Sequence, residues 1–260
     1  MKQIPNIFTL LNLVCGCIAI VYTLQNGITI ANSGVTMDNP SGLTPIINPE
    51  NIFTASLFIG IAAVVDFLDG FVARLFNASS EMGKQLDSLA DVVSFGVAPS
   101  MIVYQFLRIS FAGSESGLDT SVIWLVPAFI LAAAGAYRLA RFNLDNSQAY
   151  GFKGVPIPAA GLLTASLPLI YWNSNSETIL NILLNKWFLY AYILVISWLM
   201  ISKLPLMALK FKDLSVKNNL PKYILVGFSI LAAIFLHWLA VPVIFIAYII
   251  LSLAFKNKTA

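Results

Sequence analysis

The sequence has 260 residues, of which 58% are hydrophobic and only 10% are charged. An ordinary soluble domain carries roughly 25% charged residues, so this composition excludes a typical soluble globular protein. The formal net charge is only +3, and the positions of the basic residues, described below, do not indicate a nucleic-acid-binding surface.

The apolar residues are grouped in blocks long enough to cross a bilayer as helices, which takes about 20 residues. In chain order these blocks are about 6–24, 52–75, 88–112, 121–142, 156–173, 186–202, 221–238 and 240–255. Residues 25–50, rich in Gly, Asn, Pro and Ser, predict an extracytoplasmic loop. Backbone polar groups cannot stay unpaired in lipid, so the blocks are expected to be helices. The sequence therefore predicts an all-α, multi-pass integral membrane protein with about eight transmembrane helices and a single domain, 1–260.

The basic residues predict the orientation of these helices. Of the fifteen Lys and Arg residues, thirteen fall at alternate block ends that share one membrane face. The thirteen are Lys2, Arg74, Lys84, Arg138, Arg141, Lys153, Lys203, Lys210, Lys212, Lys217, Lys222, Lys256 and Lys258. Basic residues accumulate on the cytoplasmic side, so both termini are expected in the cytoplasm, and the positive charge lies near anionic headgroups.

Four aspartates interrupt the second and third blocks near their predicted cytoplasmic ends. Asp66 and Asp69 are three residues apart, hence on one helix face. After a short polar turn at 77–83, Asp87 and Asp91 follow, four residues apart. The resulting hairpin is expected to bring the two carboxylate pairs face to face, just inside the cytoplasmic surface.

Carboxylates this close repel one another unless cations lie between them. All-oxygen ligation suits Mg²⁺ or Mn²⁺, and two such ions could clamp a phosphoryl group. Gly70, Ala73 and Gly83 would leave room beside them for a base or a phosphate. A cation path through a transporter and a structural ion-pair cluster are the alternatives. The outer halves of the blocks are almost uncharged, which disfavours the transporter.

The spacing of these residues resembles a known signature. The stretches "DFLDGFVAR", from Asp66 to Arg74, and "GKQLDSLAD", from Gly83 to Asp91, match every position of the motif of the CDP-alcohol phosphatidyltransferases. The stretches "IPNIFTLLNLVCG", "SFGVAPS", "YRLARFN" and "GVPIPAAG" further resemble the membrane-embedded bacterial and archaeal phosphatidylserine synthases. These motifs lie within about 1–172, the expected catalytic core, and about 186–255 would add further transmembrane helices.

The resemblance implies transfer of phosphatidyl from CDP-diacylglycerol to an alcohol, with release of CMP. It implies that Asp66, Asp69 and Asp87 bind two divalent metal ions, Mg²⁺ or Mn²⁺. Asp91 would also lie in this metal site and act as general base. A homodimer in the cell membrane, with its active site facing the cytoplasm, is expected.

The resemblance also assigns the nucleotide pocket to the small residues of the motif and the arginine beside them. These residues are Gly70, Ala73, Arg74 and Gly83. The resemblance to serine synthases favours L-serine as the acceptor. Phosphatidylglycerol-phosphate synthase, which uses glycerol 3-phosphate, is the alternative within the family.

Arg138 and Arg141 are candidates for binding the acceptor. They are three residues apart at the cytoplasmic end of the fourth block, and a guanidinium suits a carboxylate or a phosphate. Anchoring the helix at the cytoplasmic face is their alternative role. Asn6, Thr9 and Asn12 share one face of the first block and could line the same cavity, or could cap the helix and form interhelical hydrogen bonds.

Overall fold

The computed structural model describes residues 4–25, 28–32, 43–47, 50–76, 80–112, 120–144, 152–207 and 215–255. Its α-helices are α1 Ile4–Leu24, α2 Glu50–Leu75, α3 Glu81–Asp91, α4 Ala98–Ala112, α5 Ile130–Leu144, α6 Ile157–Asn173, α7 Glu177–Leu183, α8 Lys186–Ile201, α9 Val216–Leu236 and α10 Ala240–Ala254. The prediction of a helical membrane protein is confirmed. Of the basic residues used for orientation, Lys2, Lys210, Lys212, Lys256 and Lys258 lie outside the described residues.

The helices long and apolar enough to cross a membrane number five in the described part of the chain, or six if the bent pair α7 and α8 is one span. The predicted count of about eight is therefore not reproduced by length and composition alone. One reason is α6, an apolar helix of only 17 residues. Another is that α9 and α10 follow one another with only the 3-10 turn His237–Leu239 between them.

Within the described residues, two short two-stranded sheets accompany the helices. The first pairs β1, Ile28–Asn32, with β2, Leu43–Ile47, in antiparallel register with Ile28 opposite Ile47. It lies within the segment 25–50 predicted as an extracytoplasmic loop, so this connection between α1 and α2 contains a β-hairpin. The second pairs β3, Phe152–Lys153, with β4, Pro205–Leu206.

The third predicted block starts earlier than its apolar residues suggested. α3 begins at Glu81, not near residue 88, because the Ser80 side chain accepts a hydrogen bond from the backbone N–H of Gly83, at 3.0 Å. This contact caps a helix start that is polar and therefore absent from a hydropathy pattern. Gly83, predicted to lie in the turn, is in the first part of the helix.

A π-helical segment, Val92–Val97, joins α3 to α4, so that Glu81–Ala112 form one helical run of 32 residues. Neighbouring helices pack closely against this segment through glycines. Gly16 of α1 contacts it at Ser94, and Gly161 of α6 contacts it at Phe95. Ser94 and Phe95 are buried, so the residues that follow Asp91 are held within the protein core.

Candidate active site

The C-terminal part of α2 and the second half of α3 bring three carboxylates together. One oxygen from each of Asp66, Asp69 and Asp87 lies within 4.8 Å of the others. Asp69 is buried and the other two are half-buried. The carboxyl groups of Asp66 and Asp87 lie close enough for their charges to interact. The predicted meeting of the two pairs across the hairpin thus holds for these three residues.

These carboxylates fit a divalent cation. Carboxylate oxygen is a hard ligand of the kind that Mg²⁺ and Mn²⁺ take. Anionic oxygens at this separation repel one another, and a shared cation would remove the repulsion. The donor set of Asp66, Asp69 and Asp87 is therefore chemically suited to a metal.

Asp91 lies one helical turn further along α3, outside the group of three. It is 7% exposed, and its carboxylate is near enough to the other aspartates for their charges to interact. Its Oδ1 atom lies 3.5 Å from Nδ2 of Asn12, which donates to it. This position suits a group that acts beside the three carboxylates.

The polar face of α1 contacts two of the four aspartates. Besides the bond from Asn12 to Asp91, Oγ1 of Thr9 donates to Oδ2 of Asp69 at 2.8 Å. The backbone carbonyl of Asn12 accepts a hydrogen bond from the Ser94 hydroxyl at 2.9 Å, which connects α1 to the π segment. The spacing of Asn6, Thr9 and Asn12 predicted that they share one face of α1, but it did not predict which residues they contact.

A cavity of about 520 Å³ opens beside the carboxylates. Seven of the predicted site residues line it: Asn6, Thr9, Asp69, Gly70, Ala73, Gly83 and Asp87. Sequence reasoning did not assign Pro5, Ser80, Glu81 or Lys84 to the site, and they also line it. Lys84 gives the cavity a positively charged group. Its position directly after the motif residue Gly83 was the feature of the sequence that could have indicated this role.

Small side chains keep this cavity open. A Cβ atom added to Gly83 would lie 3.1 Å from Oδ1 of Asn6 and 3.1 Å from Oγ of Ser80. A Cβ on Gly70 would meet only the guanidinium of Arg74, whose Nη1 atom would be 3.5 Å away. Arg74 thus lies over Gly70 although it does not line the cavity itself. The arrangement leaves space for a flat or anionic group.

The two arginines predicted to bind the acceptor have different surroundings. Arg141 donates to the carbonyls of Ile201 at 2.6 Å, Ser202 at 3.0 Å and Lys153 at 3.2 Å. These contacts hold the end of α8 against β3 and favour a structural role for Arg141.

Arg138 lies deeper in the protein and is 4% exposed. Its guanidinium is 5.0 Å from the centre of the Phe142 ring and close enough to Asp91 for their charges to attract. Of the two arginines, Arg138 is therefore the one near the carboxylates.

Comparison with known proteins gives a matching family model and several relatives that share one enzyme name. A family model described as CDP-alcohol phosphatidyltransferase matches residues 2–251, which extends past the motif-bearing region. The CDP-diacylglycerol–serine O-phosphatidyltransferase of Bacillus subtilis is 34% identical over 171 residues, which cover 66% of this chain and 78% of the relative. The enzyme of the same name from Helicobacter pylori is 35% identical over 207 residues, covering 71% and 80%. That of Methanocaldococcus jannaschii is 38% identical over 143 residues, covering 55% and 62%.

Proposed function

The chain belongs to the CDP-alcohol phosphatidyltransferase family, and from that premise we propose that it transfers phosphatidyl from CDP-diacylglycerol to L-serine. The products are phosphatidylserine and CMP. The observation that carries this proposal is the group of three carboxylates, within 4.8 Å of one another, at a cavity bordered by motif glycines. The names of the relatives reported above support serine as the acceptor.

In this proposal two divalent ions, Mg²⁺ or Mn²⁺, are bound by Asp66, Asp69 and Asp87. Asp91 adds a further carboxylate. When bound, such ions neutralise the diphosphate and make CMP a better leaving group. Gly70, Ala73, Arg74 and Gly83 border the cytidine nucleotide, and Lys84 adds a positive charge beside it.

Asp91 acts as the general base. The hydroxyl oxygen of serine forms the new bond to phosphorus, the bond from that phosphorus to CMP breaks, and Asp91 accepts the hydroxyl proton. Nδ2 of Asn12 donates to Oδ1 of this carboxylate at 3.5 Å, and the proton is taken by the other oxygen, Oδ2. Arg138, near Asp91, pairs with the carboxylate of serine.

The site faces the cytoplasm at the cell membrane. Eight helices, α1, α2, the α3–α4 run, α5, α6, α8, α9 and α10, cross the bilayer and leave both termini inside. The bias of the Lys and Arg residues supports this orientation. The motif-bearing core, about 1–172, contains the catalytic residues, and about 186–255 form additional helices. Two copies of the chain form a homodimer.

The test is a reconstituted assay of the purified protein with CDP-diacylglycerol and a panel of acceptors. We expect CMP and phosphatidylserine with L-serine, no reaction in excess chelator, and recovery when Mn²⁺ or Mg²⁺ is restored. Release of CMP with glycerol 3-phosphate and not with serine would refute the acceptor. Full activity in excess chelator would refute the metal site and leave the acceptor standing.

A further inference from the structure

The hydrogen bond between Thr9 and Asp69 joins two buried side chains on different helices. Thr9 is 3% exposed and Asp69 is 7% exposed. The hydroxyl oxygen of Thr9 lies 2.8 Å from Oδ2 of Asp69, a distance typical of a strong hydrogen bond from a hydroxyl group. Both side chains are thus largely removed from solvent, although they line the cavity.

The Thr9 hydroxyl has one proton, and two acceptors lie within its reach. The second is the Pro5 carbonyl, at 3.2 Å. That carbonyl is four residues earlier in α1 and already accepts the backbone N–H of Thr9 in an α-helix. A carboxylate is the stronger acceptor, and its distance is the shorter one. The proton therefore goes to Asp69.

We infer that Thr9 is a positioning residue for the metal site, an inference that rests on the function proposed above. Its hydroxyl holds one oxygen of Asp69 and thereby fixes the rotation of the carboxylate. In this rotation Asp69 presents an oxygen within 4.8 Å of those of Asp66 and Asp87. Groups that hydrogen-bond to metal-binding carboxylates orient them in this way and change metal affinity when removed.

The same helix contacts Asp91 through Asn12, one turn further along, but over 3.5 Å. That contact is at the limit of a hydrogen bond and so constrains its carboxylate less. Thr9 is thus the residue through which α1 acts on the metal site. Without the hydroxyl, the Asp69 carboxylate would rotate among several orientations, and only some of them would suit a bound ion.

The experiment compares Thr9→Val, which keeps the side-chain shape and loses the hydroxyl, with Thr9→Ser, which keeps the hydroxyl. A matched control is available in Thr23→Val. Thr23 is also a buried threonine of α1, and it donates to the carbonyl four residues earlier, Ala19, at 2.8 Å. It lies 14 residues from Thr9, about 21 Å along the helix. Mn²⁺ binding by the purified full-length protein is measured without substrate, by titration with detection of free Mn²⁺ by electron paramagnetic resonance.

We expect Thr9→Val to bind Mn²⁺ about 10- to 100-fold more weakly than the wild type. Thr9→Ser and Thr23→Val should stay within about threefold of it. Unchanged binding by Thr9→Val would overturn the inference, as would equally weak binding by Thr9→Ser. If Thr9→Val does not fold, Thr9→Ala is compared with Thr23→Ala by the same measure. A wild-type protein that binds no Mn²⁺ would instead overturn the proposed metal site itself, and this inference with it.

Discussion

Replacing Gly16 with alanine tests whether the close packing of α1 against the π segment sets the geometry of the site. The added Cβ would lie 2.8 Å from the Cα atom of Ser94. Ordinary contact begins at 3.4 Å, so the two backbones must separate by the difference, about 0.6 Å. The Ser94 hydroxyl lies closer still, but the Cα atom is backbone and cannot rotate away as a side chain could. Ser94 follows Asp91 by three residues, so the movement reaches the site.

The expected cost follows from this overlap. Inserting a methyl group into a packed interior costs about 1–3 kcal/mol of unfolding free energy. A displacement of about 1 Å in an active site can lower the rate about 100-fold, so a shift of about 0.6 Å should lower it by on the order of tenfold. Gly60→Ala is the control, because a Cβ at Gly60 in α2 has no neighbour within 4 Å. Alanine there should stabilise the helix by about 0.5–1 kcal/mol.

The assay measures CMP release and the midpoint of thermal unfolding for wild type, Gly16→Ala and Gly60→Ala in the same detergent. Gly16→Ala should unfold at a lower temperature and react about tenfold more slowly. Gly60→Ala should match or exceed the wild-type stability and keep its rate. Equal stability and equal rate in the two variants would refute the view that contact between α1 and the π segment determines the site.

Three further substitutions test the roles of Asp91 and the two arginines. Asp91→Asn should still bind CDP-diacylglycerol but turn over at least about 100-fold more slowly, because an amide cannot accept the proton; near-normal turnover would remove Asp91 from the mechanism. Arg138→Ala should raise the serine concentration needed for half-maximal rate about tenfold or more, as expected for a lost hydrogen bond to a charged group. Arg141→Ala should instead lower the unfolding temperature with little change in serine dependence, since its guanidinium holds three carbonyls. If Arg141→Ala raised the serine requirement and Arg138→Ala only lowered the unfolding temperature, the roles proposed for the two arginines would have to be exchanged.

Much of the arrangement of the site follows from short-range spacing, which a sequence displays directly. Residues three or four apart on a helix share a face, and only five residues separate α2 from α3. Hence the approach of Asp66 and Asp69 to Asp87 could be predicted. The start of α3 could not be predicted from hydropathy, because it depends on the capping contact of Ser80 and its first turn is polar.

Contacts between distant segments were not visible in the sequence. Arg141 donates to carbonyls 60 and 61 residues away. Every residue has a backbone carbonyl, so the sequence does not show which ones accept these bonds. Thr9 and Asp69 are also 60 residues apart, and the spacing of α1 gave the polar face without its partners. The glycines that border the π segment were ambiguous for the same reason, since a glycine in a membrane helix fits many close contacts.

The continuous run Glu81–Ala112 has a mechanical consequence for the site. Its apolar stretch is 67% buried, whereas that of α2 is 33% buried. In α3 only Ala90 and Asp91 are buried, so the well-packed support extends to Asp91 but not to Asp87. A movement of the exposed first part of the run would therefore shift Asp87 relative to Asp91, which is anchored at the packed end.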